Sequence, residues 1–172
     1  MLLACSGLLE LRSGGPPIWP ELPPEILQAN PAFLDDNATK TKGWYPSPES
    51  AQYGRSLYLV QKRTVRIPLL ETLDLPENSV SCARRESSIV APQALSLLNG
   101  ELAVVAAETL AGRIAAEADG DDGLAVHAAF RHAFQRAPSD KEQQLAQRFI
   151  AEHSLAELCR ALLNANELMF LP

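Results

Sequence analysis

Proline is spread too unevenly along this chain for one kind of regular structure to run throughout. Eight of the 13 prolines fall before residue 50 (Pro16, Pro17, Pro20, Pro23, Pro24, Pro31, Pro46 and Pro48), and after Pro92 only Pro138 and Pro172 remain. The pyrrolidine ring fixes φ and removes an amide donor, so a proline-dense stretch resists both helix and ladder. Residues 1–50 are therefore expected to wrap as extended or turning chain, while the chain beyond Pro92 is free to be helical almost throughout. Within the wrap one short helix is predicted from Pro23 to Gln28, with proline in the first turn where its missing amide costs nothing. Asn30 to Pro48 has little pattern of its own, and loops longer than about 12–15 residues usually carry function or are disordered. Residues 14–29 are expected to be ordered and residues 35–48 mobile.

The helical signals strengthen from Pro92. A short helix is predicted from Pro92 to Asn99, punctuated by Gly100. Leu102, Ala106, Leu110 and Ile114 then recur at four-residue spacing, the stripe of an amphipathic helix. The acidic turn Asp119-Gly120-Asp121-Asp122-Gly123 ends it. Val126, Phe130, Ala133 and Phe134 make the next stripe, opposite Arg131 and Gln135. Ser139 with Glu142 reads as a capping box, opening a helix that turns Leu145, Ala146, Phe149 and Ile150 inward. Ser154 caps a last helix with Leu155, Leu158, Cys159 and Leu162 on one face. The fold class is mainly α: a C-terminal antiparallel array of about four helices, preceded by a loop-rich, Pro-rich region with at most a small β ribbon. That ribbon would pair a strand over Arg55 to Ile67 with Ser87 to Val90, although Leu57, Val60 and Gln61 would also share a helical face, so that helix competes with strand there. Met1 to Leu11 reads as the end of a helix, stopped at Ser13-Gly14-Gly15-Pro16-Pro17. A chain that opens inside a helix is expected to be an N-terminally truncated piece. The organisation is thus a single domain over 1–172 or the C-terminal part of a larger one: a wrap over 1–50, a basic segment over 51–100 and a helical scaffold over 101–172.

Charge narrows the partners. The 172 residues carry 15 basic and 21 acidic side chains, a net −6, which argues against a generic nucleic-acid binder. The balance is local: −3 over residues 1–50, +2 over 51–100 and −5 over 101–172. No apolar run approaches the ~20 residues of a membrane-spanning helix. Leu2-Leu3-Ala4-Cys5 looks like a lipobox but has no apolar leader long enough to precede it.

Few residues point to chemistry. Cys5, Cys82 and Cys159 form no C-x-x-C, so neither a metal site nor haem attachment is expected in this chain. Cys159 sits in an apolar stripe and reads as core. Cys82 lies beside Arg84 and Arg85, which favour a thiolate, yet no histidine stands within 40 residues; a buried structural thiol is expected. His127 and His132 are five apart and cannot chelate one ion from a single helix. Neither a catalytic nor a metal-ligating residue is assigned. The constellation that remains is basic: Arg55, Lys62, Arg63 and Arg66, then Glu71, Asp74 and Asn78, then Arg84, Arg85, Gln93 and Asn99. From these Lys62, Arg63, Asp74, Arg84, Arg85 and Gln93 are the candidate ligand-binding residues. Their structural role would be to hold an irregular segment down by bonding loop carbonyls. Their functional role would be to grip a carboxylate, phosphate or sulfate, which the guanidinium fork matches. Either Glu71, Asp74 and Glu86 neutralise these cations or a ligand does.

Those same residues carry a resemblance. The string Arg55-Ser56-Leu57-Tyr58, Lys62-Arg63, Pro68-Leu69-Leu70-Glu71-Thr72-Leu73-Asp74, Ser81-Cys82-Ala83-Arg84-Arg85 and Ala91-Pro92-Gln93-Ala94-Leu95-Ser96-Leu97-Leu98-Asn99 resembles the C-terminal domain of unknown function 1553 of planctomycete-type, cytochrome-c-associated proteins. Gly14-Gly15-Pro16, Arg136-Ala137-Pro138-Ser139 with Glu142, and Leu158 to Glu167 fit the same pattern. Thr72-Leu73-Asp74-Leu75-Pro76 departs mildly from its commoner Phe-Asp-Ala-Pro. The resemblance implies export to an extracytoplasmic or periplasmic compartment. It also implies a haem-bearing cytochrome c domain and a second helical domain upstream, so that haem belongs to those domains and this chain carries no cofactor. The expected function is a non-catalytic helical module of the larger protein, with the other domains or a protein partner docking on it. The competing expectation is part of an enzyme or receptor that binds an anionic or sugar substrate at an Arg-lined pocket.

Overall fold

The computed structural model describes residues 1–29, 43–63, 65–77, 81–84 and 91–169. Its helices in chain order are α1 (Leu2–Ser6), α2 (Pro24–Ala29), α3 (Pro68–Thr72), α4 (Ala91–Asn99), α5 (Glu101–Ala118), α6 (Asp122–Phe134), α7 (Asp140–Glu152), α8 (Leu155–Leu163) and α9 (Asn166–Met169). Two compact units divide them: Met1–Leu8 with Ile89–Pro172, and Leu9–Ser88.

The first unit is the helical array, and α5 is its axis. Leu110 and Ile114 of α5 are wholly buried, as are Val126 of α6 and Cys159 and Leu163 of α8. Leu102 is only half-buried, and the inward face is completed by Ala103, Ala106, Ala107, Ala111 and Ala118. Alanine at so many contact positions lets neighbouring backbones come close, and α1, α4, α6 and α8 all pack on α5. The acidic turn after α5 serves two helices at once. Asp119 closes α5 in the left-handed conformation (φ 47°), and the Asp121 carboxylate caps α6 by accepting from Leu124 N at 3.0 Å. Ser139 and Glu142 form the capping box of α7. Ser154 caps α8, accepting from Glu157 N at 3.1 Å.

Two sequence expectations change here. α1 stops at Ser6, where Gly7 takes φ 85° as a left-handed cap, so the helix does not run on to Leu11. Ser6 itself is buried, its hydroxyl donating to Leu3 O and accepting from Leu8 N. In α7 the inward face is Ala146 with Phe149 and Ile150, while Leu145 turns outward and is 67% exposed. Leu145 lies a quarter-turn from Ala146, too far round the helix to share its contact line.

The second unit has a separate, smaller core of Leu22, Trp44 and Val65, with Trp19, Ile26 and Leu27 at its edge. Trp44 donates its indole N–H to Pro20 O at 2.7 Å, and Trp19 meets the Trp44 and Tyr45 rings edge-on at 5.1 and 5.8 Å. Residues 43–48, at the end of the span expected to be mobile, contribute the buried Trp44 and Ser47, whose amide donates to Trp19 O. Residues 35–42 lie outside the described residues. The strand expected over Arg55 to Ile67 does not form. Ser56–Tyr58 is a 3-10 turn, followed by two isolated bridges, Ile18 with Leu59 and Lys62 with Val65. Ile18 exchanges bonds with Tyr58 O and Val60 N, but Pro16, Pro17 and Pro20 around it have no amide to extend a ladder. The expected partner Ser87 to Val90 lies outside the described residues. Among those described, no single helix is long and apolar enough to cross a membrane.

Leu158→Ala removes a buried side chain from α8 and should cost about 2–5 kcal/mol, whereas Gln135→Ala, exposed at the end of α6, should be near neutral. Urea titrations of the two variants measure the difference; equal effects would mean that the packing face is wrongly assigned.

Candidate functional site

The basic segment is built around a tight turn from Lys62 to Val65. Val65 is buried in the small core and anchors the turn from below. Lys62 anchors it from the side: its ammonium donates to Gly43 O at 2.8 Å and lies 5.1 Å over the Trp19 ring. With Lys62 and Val65 held by their own contacts, Arg63 is exposed, and it makes no ion pair with a described residue. Arg66 follows and is fully engaged. It bonds Glu71 Oε1 at 3.0 Å and Glu77 Oε1 at 2.6 Å, and its pKa rises chiefly through the Glu71 bond. Lys62, Arg63 and Arg66 line one open hollow with Gln61, Glu71, Leu75 and Pro76.

Among the described candidates, Asp74, Arg84 and Gln93 are not in that lining. Asp74 is half-buried just past α3, with φ 59° and its amide bonded to Glu71 O. Arg84 is exposed and its carbonyl accepts from the Cys82 thiol at 3.1 Å. Cys82 is therefore not the buried thiol expected; it is exposed. Arg85 lies outside the described residues, as do Asn78 and Glu86. Gln93 is carried by α4 and so belongs to the helical unit. The sequence reading missed Glu77 as the second partner of Arg66, and it missed the Trp19–Trp44–Tyr45 cluster that Lys62 leans on. Tryptophans at 19 and 44 in a proline-rich stretch were the available signal, since a large aromatic seldom stays in solvent.

A second polar centre lies in the helical unit. Arg136, just after α6, grips Glu142 of α7 at 3.0 and 2.7 Å and Glu167 of α9 at 2.6 and 2.8 Å. Its guanidinium also stacks near Phe130 and Phe134. Both pairs are bidentate, the geometry in which an arginine fork binds carboxylate best. Glu142 is held well below the usual carboxylate range, at about 2, first by Arg136 and then by the amide and hydroxyl of Ser139. Glu167 is lowered and Arg136 raised by the same bonds.

The thiols and imidazoles do not gather. Burial pushes Cys159 up to about 12, the signature of an inert core thiol. His132 pairs with Glu117 across α5 and α6 at 3.1 Å, while His127 and His153 are exposed. Among the described residues no three His, Cys, Asp or Glu side chains come together as metal ligands. With thiols at positions 5, 82 and 159 and no C-x-x-C, these residues do not fit a covalently attached haem.

A family model described as PSD1, protein of unknown function (DUF1553), matches residues 1–150. No curated protein and no solved structure matches the chain.

The Glu142 carboxylate fixes one pH response. Its folded pKa is depressed, so its stabilisation is fully present above about 4.5 and is lost as pH falls toward 2. Thermal melts between pH 6 and pH 2 should therefore show a falling midpoint that is shallower in Glu142→Gln. Parallel curves for the two proteins would contradict the Arg136 grip.

Proposed function

We propose, from the premise that this chain belongs to the PSD1 family of proteins of unknown function (DUF1553), that it is a non-catalytic helical module of a larger, extracytoplasmic, cytochrome-c-associated protein of the planctomycete type. The observation that carries the reading is where the motif's polar residues are spent. Arg136, Ser139, Glu142 and Glu167 bond one another, Lys62 bonds a loop carbonyl, and Arg66 bonds Glu71 and Glu77. Side chains committed to holding the chain's own shape define a scaffold, whereas catalytic groups are aimed at a space where substrate sits. On this reading haem belongs to other domains of the parent protein, and this module offers its basic turn to one of them or to a separate protein.

The competing reading, part of an enzyme or receptor for an anionic or sugar substrate, draws on the hollow beside Arg63. The two separate in one experiment. The chain is titrated against the purified cytochrome c domain of the same parent protein, with Arg63→Glu/Arg84→Glu as the variant. Saturable binding, weakened on the order of tenfold by the charge reversal at low salt, is expected, with the melting temperature unchanged. Binding indifferent to the charge reversal, together with turnover of an anionic or sugar substrate by the chain, would overturn the module reading. Fractionation of cells making the parent protein should place it outside the cytoplasm.

A further inference from the structure

The cations of the basic turn are not equivalent, and the difference defines a ligand. Lys62 spends its ammonium on Gly43 O and the Trp19 face, and Arg66 is saturated by Glu71 and Glu77. Arg63 stands between them on a turn pinned by buried Val65, exposed and without a carboxylate among the described residues. With Lys62 and Val65 held beside it, the guanidinium is presented toward the hollow, and the ordering left for binding is that of its own side chain. Lys62 adds positive potential at the same hollow, and Leu75 with Pro76 supplies an apolar wall.

We propose that this hollow is a carboxylate-binding site whose gripping residue is Arg63. Its selectivity comes from Glu71, which lines the same hollow. Glu71 and Glu77 both bond the Arg66 guanidinium, two carboxylates against one cation. A phosphate dianion entering there meets Glu71 as a like charge. A carboxylate carries one charge, is planar, and can take both N–H groups of the Arg63 fork while its carbon skeleton lies on Leu75 and Pro76. The inference deepens the docking reading, on which the carboxylate comes from an acidic side chain of the partner; a free small acid would present the same group.

The test uses the full chain labelled with ¹⁵N, following arginine Nε–H resonances at constant ionic strength. The probes are acetate, inorganic phosphate and a short glutamate-containing peptide, with chloride as reference. The Arg63 resonance should move saturably with acetate, and phosphate should bind several-fold more weakly. Arg63→Gln should lower the acetate affinity on the order of tenfold, while Arg148→Gln on α7 should leave it unchanged. A linear shift matched by chloride, tighter binding of phosphate, or an Arg63→Gln variant with unaltered acetate affinity would overturn the site. Peptide binding well above acetate assigns the carboxylate to a protein; equal binding assigns it to a small acid. Acetate binding lost in Arg63→Gln while the cytochrome domain still binds upholds this site and overturns the docking reading. Acetate that never binds, with docking intact, overturns the site alone.

Discussion

The alanine face of α5 is the constraint on which the helical unit depends. Ala103, Ala106, Ala107, Ala111 and Ala118 carry almost no side-chain entropy into the fold, and they let α1, α4, α6 and α8 approach one axis closely. Leu110 and Ile114 then supply the volume that fills the centre, against Val126, Phe130, Cys159 and Leu163. A larger residue at any of those alanines would push a neighbouring helix outward, because an interior at crystal-like density has no slack to absorb it. The caps at Asp121, Ser139 and Ser154 matter less for energy than for register. They decide where each helix begins and so which of its faces turns toward its neighbours.

Arg136 plays the corresponding part at the helix ends. One guanidinium joins the end of α6 and the start of α7 to α9, which lies about thirty residues further along the chain. The family match ends at residue 150, yet α8 supplies Leu158, Cys159, Leu162 and Leu163 to the core and α9 supplies Glu167 to the Arg136 network. The folded unit therefore includes chain beyond the matched span. The Leu9–Ser88 unit is organised on a different principle. With prolines blocking any ladder, it is held by a few aromatic contacts and by single side chains such as Lys62 reaching across to loop carbonyls. Such a scaffold fixes a turn without covering it, which is how Arg63 comes to be displayed.

Much of the helical unit was legible in the residues themselves. The four-residue spacing of Leu102, Ala106, Leu110 and Ile114, the Ser139–Glu142 box and the Ser154 cap are local signals, and helices are made of local bonds. The errors have local causes too. Gly7 ended α1 earlier than the more conspicuous Gly14-Gly15 pair implied, and Leu145 sat a quarter-turn off the contact line of α7. The candidate site was legible only in composition. Lys62 and Arg63 are adjacent and chemically alike, yet one is consumed by Gly43 O and the other is not. Nothing in their spacing separates them.

The sequence by itself determined the class of fold, the helix starts, and the division between a proline-rich region and a helical one, because each depends on backbone chemistry within a few residues. The tertiary structure alone decided which cations are spent and which is displayed. That outcome turns on partners brought from afar, Trp19 and Gly43 to Lys62 and Glu167 to Arg136, and a bond between distant side chains exists only once the packing has placed them.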